Sequence, residues 1–390
     1  MTIDSAAMRS NIVGLALIAP LVIFLAFTFL VPLGRMLVLS VSDTELAAIM
    51  PRSVIALASW DGETLPDEEA FAAVAADLAA AREDRTAGTA ARRLGYASAE
   101  WRTVLSSTAR SLPDDASSIT NWQDTLVSIE PAWGQAKIWH ALAEARGPFT
   151  DIHVLTALGM DGGPDSGLYV NVLVRTFVIA ISATAICLLL AMPAAYLLSS
   201  VSGPLAGLLM LTLLLPLWTS VLVRSTSWLV ILQKNGILNQ ILMALRITNA
   251  PLDLIYNRTG VLIALTHVLL PYAVLPLYAA MKSLPKSQMQ ASRSLGGGPL
   301  SGFFRVYLPQ VLPGLSAGGL MVFILALGYY ITPLLLGGQG DQMLPFYIAY
   351  NTLQALNWGL AASLAGGLLI VTVILYLLYV RLVGVERVRV

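Results

Sequence analysis

"QASRSLGGGPLSGFFRVYLP", residues 290–309, decides how this chain is read. It carries two arginines, several hydroxyls, a glycine triplet and no acid, and it lies between apolar runs at 259–281 and 311–336. Each run is long enough to cross a bilayer, which takes about 20 mainly apolar residues. Pro285 suits the first turn of a short helix from Lys286 to Leu295. Gly296 ends it, because a residue without a side chain enters the left-handed region freely. Pro299 then opens a second helix through Leu308. The stretch is thus a water-facing helical hairpin between two spans.

Four more apolar runs of that length occur, at 12–34, 170–198, 204–224 and 359–381, giving six spans with both termini on one side. The composition agrees: 57% hydrophobic residues, 12% charged residues and mean hydropathy +0.74 define a polytopic membrane protein of all-α class. The first run reads as an uncleaved anchor, since Arg9 is balanced by Asp4 and the run exceeds a signal peptide's apolar segment. Cytoplasmic termini place Arg9, Lys282, Lys286, Arg293, Arg305, Arg381, Arg387 and Arg389 inside. Arg35, Arg224, Lys234, Arg246 and Arg258 are then outside, as the positive-inside bias prefers. Prolines 193, 216, 271, 276 and 333 and the Gly366–Gly367 pair interrupt spans two to six.

The net charge of zero conceals a split. Residues 43–166 hold 19 of the 23 acids and 9 of the 23 bases, so this insert is −10 and the remainder +10. Within it, Phe71, Val74 and Leu78 recur at helical spacing behind a first turn rich in acids, and Trp122, Leu126 and Ile129 repeat the pattern. The chain therefore divides into a cytoplasmic N-terminus with the first span (1–42), an acidic helical extracytoplasmic insert (43–166) and a five-span core (167–390). The acidity is that of a solvated face or of a vestibule that attracts cations. Cys187 is the only cysteine, so neither a disulfide framework nor a cysteine metal site is possible within the chain.

The hairpin resembles the cytoplasmic EAA loop of ABC-importer permeases. Its pattern is Glu-Ala-Ala, three residues, Gly, nine residues, a branched apolar residue, one residue and Leu-Pro. Gln290, Ala291, Ser292, Gly296, Val306, Leu308 and Pro309 fall on those places without a gap. Gln290 stands in place of the usual Glu and Ser292 in place of Ala, so the position keeps an acceptor oxygen and helix-forming character but loses the charge that an ion pair would need. Residues 213–242, 267–297 and 326–338 are similar to the spermidine/putrescine branch of these permeases, and 147–159 to its long-insert members.

The resemblance implies a type I importer permease of the bacterial inner (cytoplasmic) membrane, with a coupling loop at 282–310, moving polyamines by alternating access. It implies a second permease subunit, two ATPase subunits holding ATP and magnesium, and an extracytoplasmic solute-binding protein, with no cofactor in this chain and no nucleic acid. Another small organic solute, or a membrane sensor with an extracytoplasmic ligand-recognition domain, are the alternatives.

Other chemistries fit poorly. No G-x-x-x-x-G-K-[ST] loop is present to cradle phosphates, so the chain is not itself an ATPase. "GQGD" at 338–341 matches the string of intramembrane aspartyl proteases, but outside the insert the only other acids are Asp4, Asp253 and Glu386, at or beyond span ends. His140, His153 and His267 share no metal-ligand spacing, and His267 reads as a bond between helices. Candidates for a pathway or outer mouth are Arg175 and Arg224, at the outer ends of spans two and three, with Trp218, Trp228, Asp253, Tyr272, Tyr329 and Tyr330. Aromatic faces and carboxylates suit an amine; the same residues also suit headgroup snorkelling and interfacial belts.

Overall fold

The computed structural model describes residues 16–113, 119–160 and 166–383. Asp4, Arg9, Glu386, Arg387 and Arg389, and with them both chain ends, lie outside the described residues. The protein is helical, and its one extended pairing among the described residues is an isolated antiparallel bridge between Ser42 and Phe149. Five helices are long and apolar enough to cross a membrane, and counting one bent pair as a single span makes six. The all-α, six-span class read from the sequence is thereby met.

The chain divides into two compact units, residues 1–161 with 357–366, and 162–356 with 367–390. The first contains α1 (Ala16–Leu39), then α2 (Glu45–Ile49), α3 (Pro51–Ala56), α4 (Glu68–Glu83), α5 (Ala87–Leu94), α6 (Ala99–Ser111), α7 (Trp122–Ile129), α8 (Ala136–Glu144) and α9 (Ile152–Leu158). Local chemistry sets these limits. Asp67 caps α4 by accepting from the Ala70 N–H at 3.1 Å, and Asn121 caps α7 by accepting from the Asp124 N–H at 3.0 Å. Phe71, Val74 and Leu78 of α4 are buried with Trp133 and Trp139, whose indole N–H groups donate to Thr108 Oγ1 and the Trp133 carbonyl.

A buried ionic knot closes this unit where α1 ends. Arg93 Nε donates to Asp43 Oδ2 at 2.7 Å, and the same guanidinium lies 5.6 Å from the centre of the Tyr96 ring. Tyr96 meets His153 edge-on at 5.8 Å. Burial, helped by the Arg93 charge, lowers the His153 pKa to about 4, because a protonated ring there would be desolvated beside a cation. His153 also fills the space against Gly359, where any Cβ would overlap the imidazole.

The second unit is built on α10 (Leu168–Ser200), α14 (Arg258–Ser283) and α16 (Pro299–Leu327), which pack on one another. Small residues permit the closeness. A Cβ at Gly318 would lie 2.7 Å from the Ala273 carbonyl oxygen, and one at Gly314 2.5 Å from Ala280 Cβ. Around them run α11 (Pro204–Leu214), α12 (Val221–Leu232), α13 (Ile237–Ala244), α15 (Lys286–Ser294), α17 (Ile331–Leu336) and α18 (Leu344–Leu353); the last helix, α19 (Trp358–Val383), belongs to the first unit as far as Gly366 and to the second from Gly367.

Two span boundaries differ from the sequence reading. The third, expected at 204–224, is the bent pair: the helix stops at Trp218, and α12 restarts at a 104° angle. Pro216 tightens the end into a 3₁₀ turn, and Ser220 Oγ caps the new helix by accepting from the Val223 N–H at 3.2 Å. The fifth, expected at 311–336, runs instead from Pro299 to Leu327. A continuous helix would meet Pro333, which lacks an N–H, so the chain breaks at Gly328–Tyr330 and places Pro333 in the first turn of α17. By contrast, α10 and α14 continue through Pro193, Pro271 and Pro276.

Candidate functional site

The hairpin is the first candidate region. Helix α15 ends at Ser294, and Gly296 follows with φ +80°. The Gly296 N–H donates to the Arg293 carbonyl at 3.0 Å and the Gly297 N–H to the Ser292 carbonyl at 2.9 Å, the paired bonds that close a helix through a left-handed residue. A Cβ at Gly296 would meet nothing within 4 Å, so glycine is required there by backbone conformation alone. At Gly297 the reverse holds, since a Cβ would stand 2.8 Å from both the carbonyl oxygen and Oγ of Ser292. Ser292 also faces Gly302 of the second limb, where a Cβ would lie 3.4 Å from its hydroxyl and 3.2 Å from Met289 Cε.

The second limb does not stop at Leu308. It continues into the span as α16, through one widened turn at Phe303–Tyr307. Pro309 accounts for the turn: its ring would press on the Arg305 carbonyl in a regular helix, and it has no N–H to offer that oxygen. The limb is therefore covalently and helically continuous with the membrane core. Gln290 and Ala291 are exposed on α15, Ser292, Val306 and Leu308 are half-buried, and Gly296 and Pro309 are exposed. Leu295, Leu300 and Phe304 stand out at the tip, 88%, 74% and 60% exposed.

The second region lies where α12 restarts. Ser225 and Thr332 share a buried hydrogen bond of 2.9 Å that fixes α12 on α17. Arg224, one residue earlier, has Nε and Nη1 buried without a hydrogen-bond partner among the described residues. One turn on, Trp228 Nε1 donates to His267 Nδ1 of α14 at 3.1 Å, with the rings edge to face at 5.3 Å. Arg224 lies near enough to His267 and Tyr329 for its charge to bear on both, and Tyr272 and Tyr329 pack with Trp228 against the buried core of this unit. His267 also lines a cavity of about 330 Å³ with Thr212, Pro216 and Pro271.

Of the residues picked from the sequence, the fold brings together Arg224, Trp228, Tyr272 and Tyr329. The others have separate roles. Arg175 Nη1 donates to the Gln342 carbonyl at 3.3 Å, holding the approach to α18. Asp253 pairs with Lys234 at 3.0 Å on the surface, Trp218 is 75% exposed, and Tyr330 stands at the N-terminal boundary of α17 without a side-chain capping bond. The "GQGD" string is a structural turn: Asp341 takes Arg258 Nε at 3.1 Å and ties that loop to the start of α14. Sequence reasoning missed Gly297, Gly302 and His267 as members of these regions. The glycine triplet was a signal for Gly297; His267 was read as a bond between helices, and Trp228 as its partner was not marked in the sequence.

The family described as binding-protein-dependent transport system inner membrane component matches residues 166–387, more than half of the chain. The chain belongs to this family. It is a multi-pass inner-membrane permease subunit of an ABC importer, a transport subunit rather than an enzyme. Among its relatives, the spermidine/putrescine transport system permease protein PotB of Haemophilus influenzae is 34% identical over 214 residues, which cover 55% of this chain and 75% of PotB. PotB of Escherichia coli K12 is 32% identical over 214 residues, covering 55% and 78%. A solved structure, a bacterial alginate ABC transporter in complex with an alginate pentasaccharide-bound periplasmic protein, matches at 14% identity with a TM-score of 0.45, over 58% of this chain and 85% of that one.

Proposed function

We propose that this permease carries polyamines of the putrescine and spermidine type into the cytoplasm. The observation that carries the reading is the likeness to PotB, over three quarters of that protein's length. In this reading the chain pairs with a second permease subunit, receives solute from an extracytoplasmic binding protein, and is driven by two ATPase subunits that hold ATP and magnesium. Both termini are cytoplasmic, and the 43–166 insert is extracytoplasmic. The hairpin enters a surface groove of an ATPase subunit through the tip that bears Leu295, Leu300 and Phe304. ATP binding draws the ATPases together, and the continuity of the second limb with α16 supports the transfer of that displacement into the core. Transport is then a two-state equilibrium biased by differential binding in each state.

Uptake of radiolabelled putrescine and spermidine tests the solute, in a strain lacking other polyamine importers. It should disappear on deletion and return with the gene; unchanged uptake rejects this solute class. Orientation is tested with single cysteines at the exposed Ser128 and Ser301, against the buried native Cys187. An impermeant thiol reagent should label the first in intact cells and spare the second.

A further inference from the structure

The cluster around Arg224 is rich in donors and holds no carboxylate among the described residues. Trp228 Nε1 can only donate, so His267 Nδ1 accepts, and the neutral ring then carries its proton on Nε2, a further donor. Arg224 adds a guanidinium with two buried, unpartnered nitrogens, and Tyr329 adds a hydroxyl. The acids described in this unit are both engaged, Asp253 with Lys234 and Asp341 with Arg258. Buried guanidinium N–H groups left without an acceptor are unfavourable, and a guanidinium fits a planar oxyanion through paired N–H groups. Arg224 is itself only half-buried, and its neighbour Ser225 is pinned to Thr332, so the turn that carries it is held in place.

We propose that Arg224 and His267 form a carboxylate-binding site at the head of α12. Two sources carry that chemistry. A diamine has no carboxylate, so with a polyamine as solute the group comes from an acidic side chain of the companion permease. A solute bearing an amine at one end and a carboxylate at the other supplies its own. The site rests on the geometry, and only the choice of source rests on the importer reading given above.

The site is tested on the purified full-length chain by modification of Arg224 with phenylglyoxal, read by mass spectrometry, with sodium acetate against sodium chloride at equal ionic strength. Acetate should slow modification about tenfold, the low end of a charge-assisted hydrogen bond, and His267→Phe should shrink that protection. Equal rates in the two salts overturn the proposal. The source is then read from uptake in cells carrying the whole system, with putrescine and 4-aminobutyrate, which differ in one terminal group. A solute-borne carboxylate predicts 4-aminobutyrate uptake that falls about tenfold in Arg224→Gln while putrescine uptake persists. A subunit-borne carboxylate predicts no 4-aminobutyrate uptake, loss of putrescine uptake in Arg224→Glu, and recovery when one acid of the companion permease is changed to Lys. Wild-type uptake of putrescine in both Arg224 variants, at wild-type abundance and without 4-aminobutyrate uptake, overturns the site even where acetate protects. Absence of all uptake in the wild type rejects the amine-importer reading, and acetate protection still decides the site.

Discussion

Replacing Gly296 by asparagine, alanine and valine separates the shape of the hairpin from its chemistry. The residue has φ +80° and open space where a Cβ would go, so the whole cost of a side chain is conformational. Asparagine enters the left-handed region with little penalty, alanine costs about 1 kcal/mol, and a β-branched residue about 2 kcal/mol. Since 1.4 kcal/mol is a factor of ten, valine shifts the closed turn toward an open one by roughly 30-fold. The bonds lost on opening are those from Gly296 and Gly297 to the Arg293 and Ser292 carbonyls, which close the end of α15 and set the direction in which the chain leaves it. Trypsin cleavage after the exposed Arg293 in inside-out vesicles reports that opening directly, because proteolysis follows the population of the open form. Cleavage should rise in the order Asn, Ala, Val, and binding-protein-stimulated ATP hydrolysis of the reconstituted complex should fall in the same order, with membrane insertion unchanged. Equal cleavage and equal stimulation in the asparagine and valine variants would refute the argument that backbone conformation fixes this residue.

The remaining predictions concern the exposed face of the hairpin, the insert and the membrane core. Gln290→Glu restores the family's usual residue on an exposed helical surface, so stimulated ATP hydrolysis should stay within about twofold of wild type, as surface changes generally do. The insert should lose stability as pH falls from 6.5 toward 4: over that window the unfolded chain binds a proton at His153 that the folded chain, with its pKa near 4, refuses. The loss approaches 3 kcal/mol, is absent above the unfolded pKa, and should vanish in His153→Leu; fluorescence of the buried Trp133 and Trp139 during urea titrations at several pH values measures it. Gly318→Leu should force α14 and α16 apart, because its first side-chain atom would lie 2.7 Å from the Ala273 carbonyl, and should lower the thermal midpoint of the detergent-solubilised protein by a loss of about 1–3 kcal/mol; an unchanged midpoint would mean that this contact is not tight.

What was legible in the sequence was local or additive. Span number follows from apolar length, and the turn at Gly296 follows from a glycine placed after a run of helix formers and before Pro299. The limits of the third and fifth spans were not legible in the same way, since hydropathy is blind to where a helix stops. Leu222 and Val223 are as apolar as the residues before the break, but Pro216 and the Ser220 cap decide that α12 starts afresh. At the other end, the apolar run past Leu327 hides a break imposed by the missing N–H of Pro333. Hydrogen-bond chemistry at single residues overrides an average taken over twenty.

The candidate site was legible residue by residue and not as a site. Arg224, Trp228, Tyr272 and Tyr329 each drew notice as a charge or aromatic group near a span end. Their convergence depends on α12, α14 and the chain after α16 meeting in space, and the residue that joins them, His267, read from the sequence as an ordinary bond between helices. It is such a bond, to Trp228, and that is what gives it a role: an indole that only donates fixes which imidazole nitrogen carries the proton. The same logic removes Asp253 and Asp341 from consideration as partners for an amine or for Arg224. Asp253 looked available in the sequence as a rare acid beside a span and Asp341 stood in the GQGD string, and both are paired with cations that the sequence places 19 and 83 positions away. A free charge is thus defined only after every opposite charge has been placed. Among the described residues the placement leaves two buried Arg224 nitrogens unmatched, so the proposed site turns on which carboxylate reaches it.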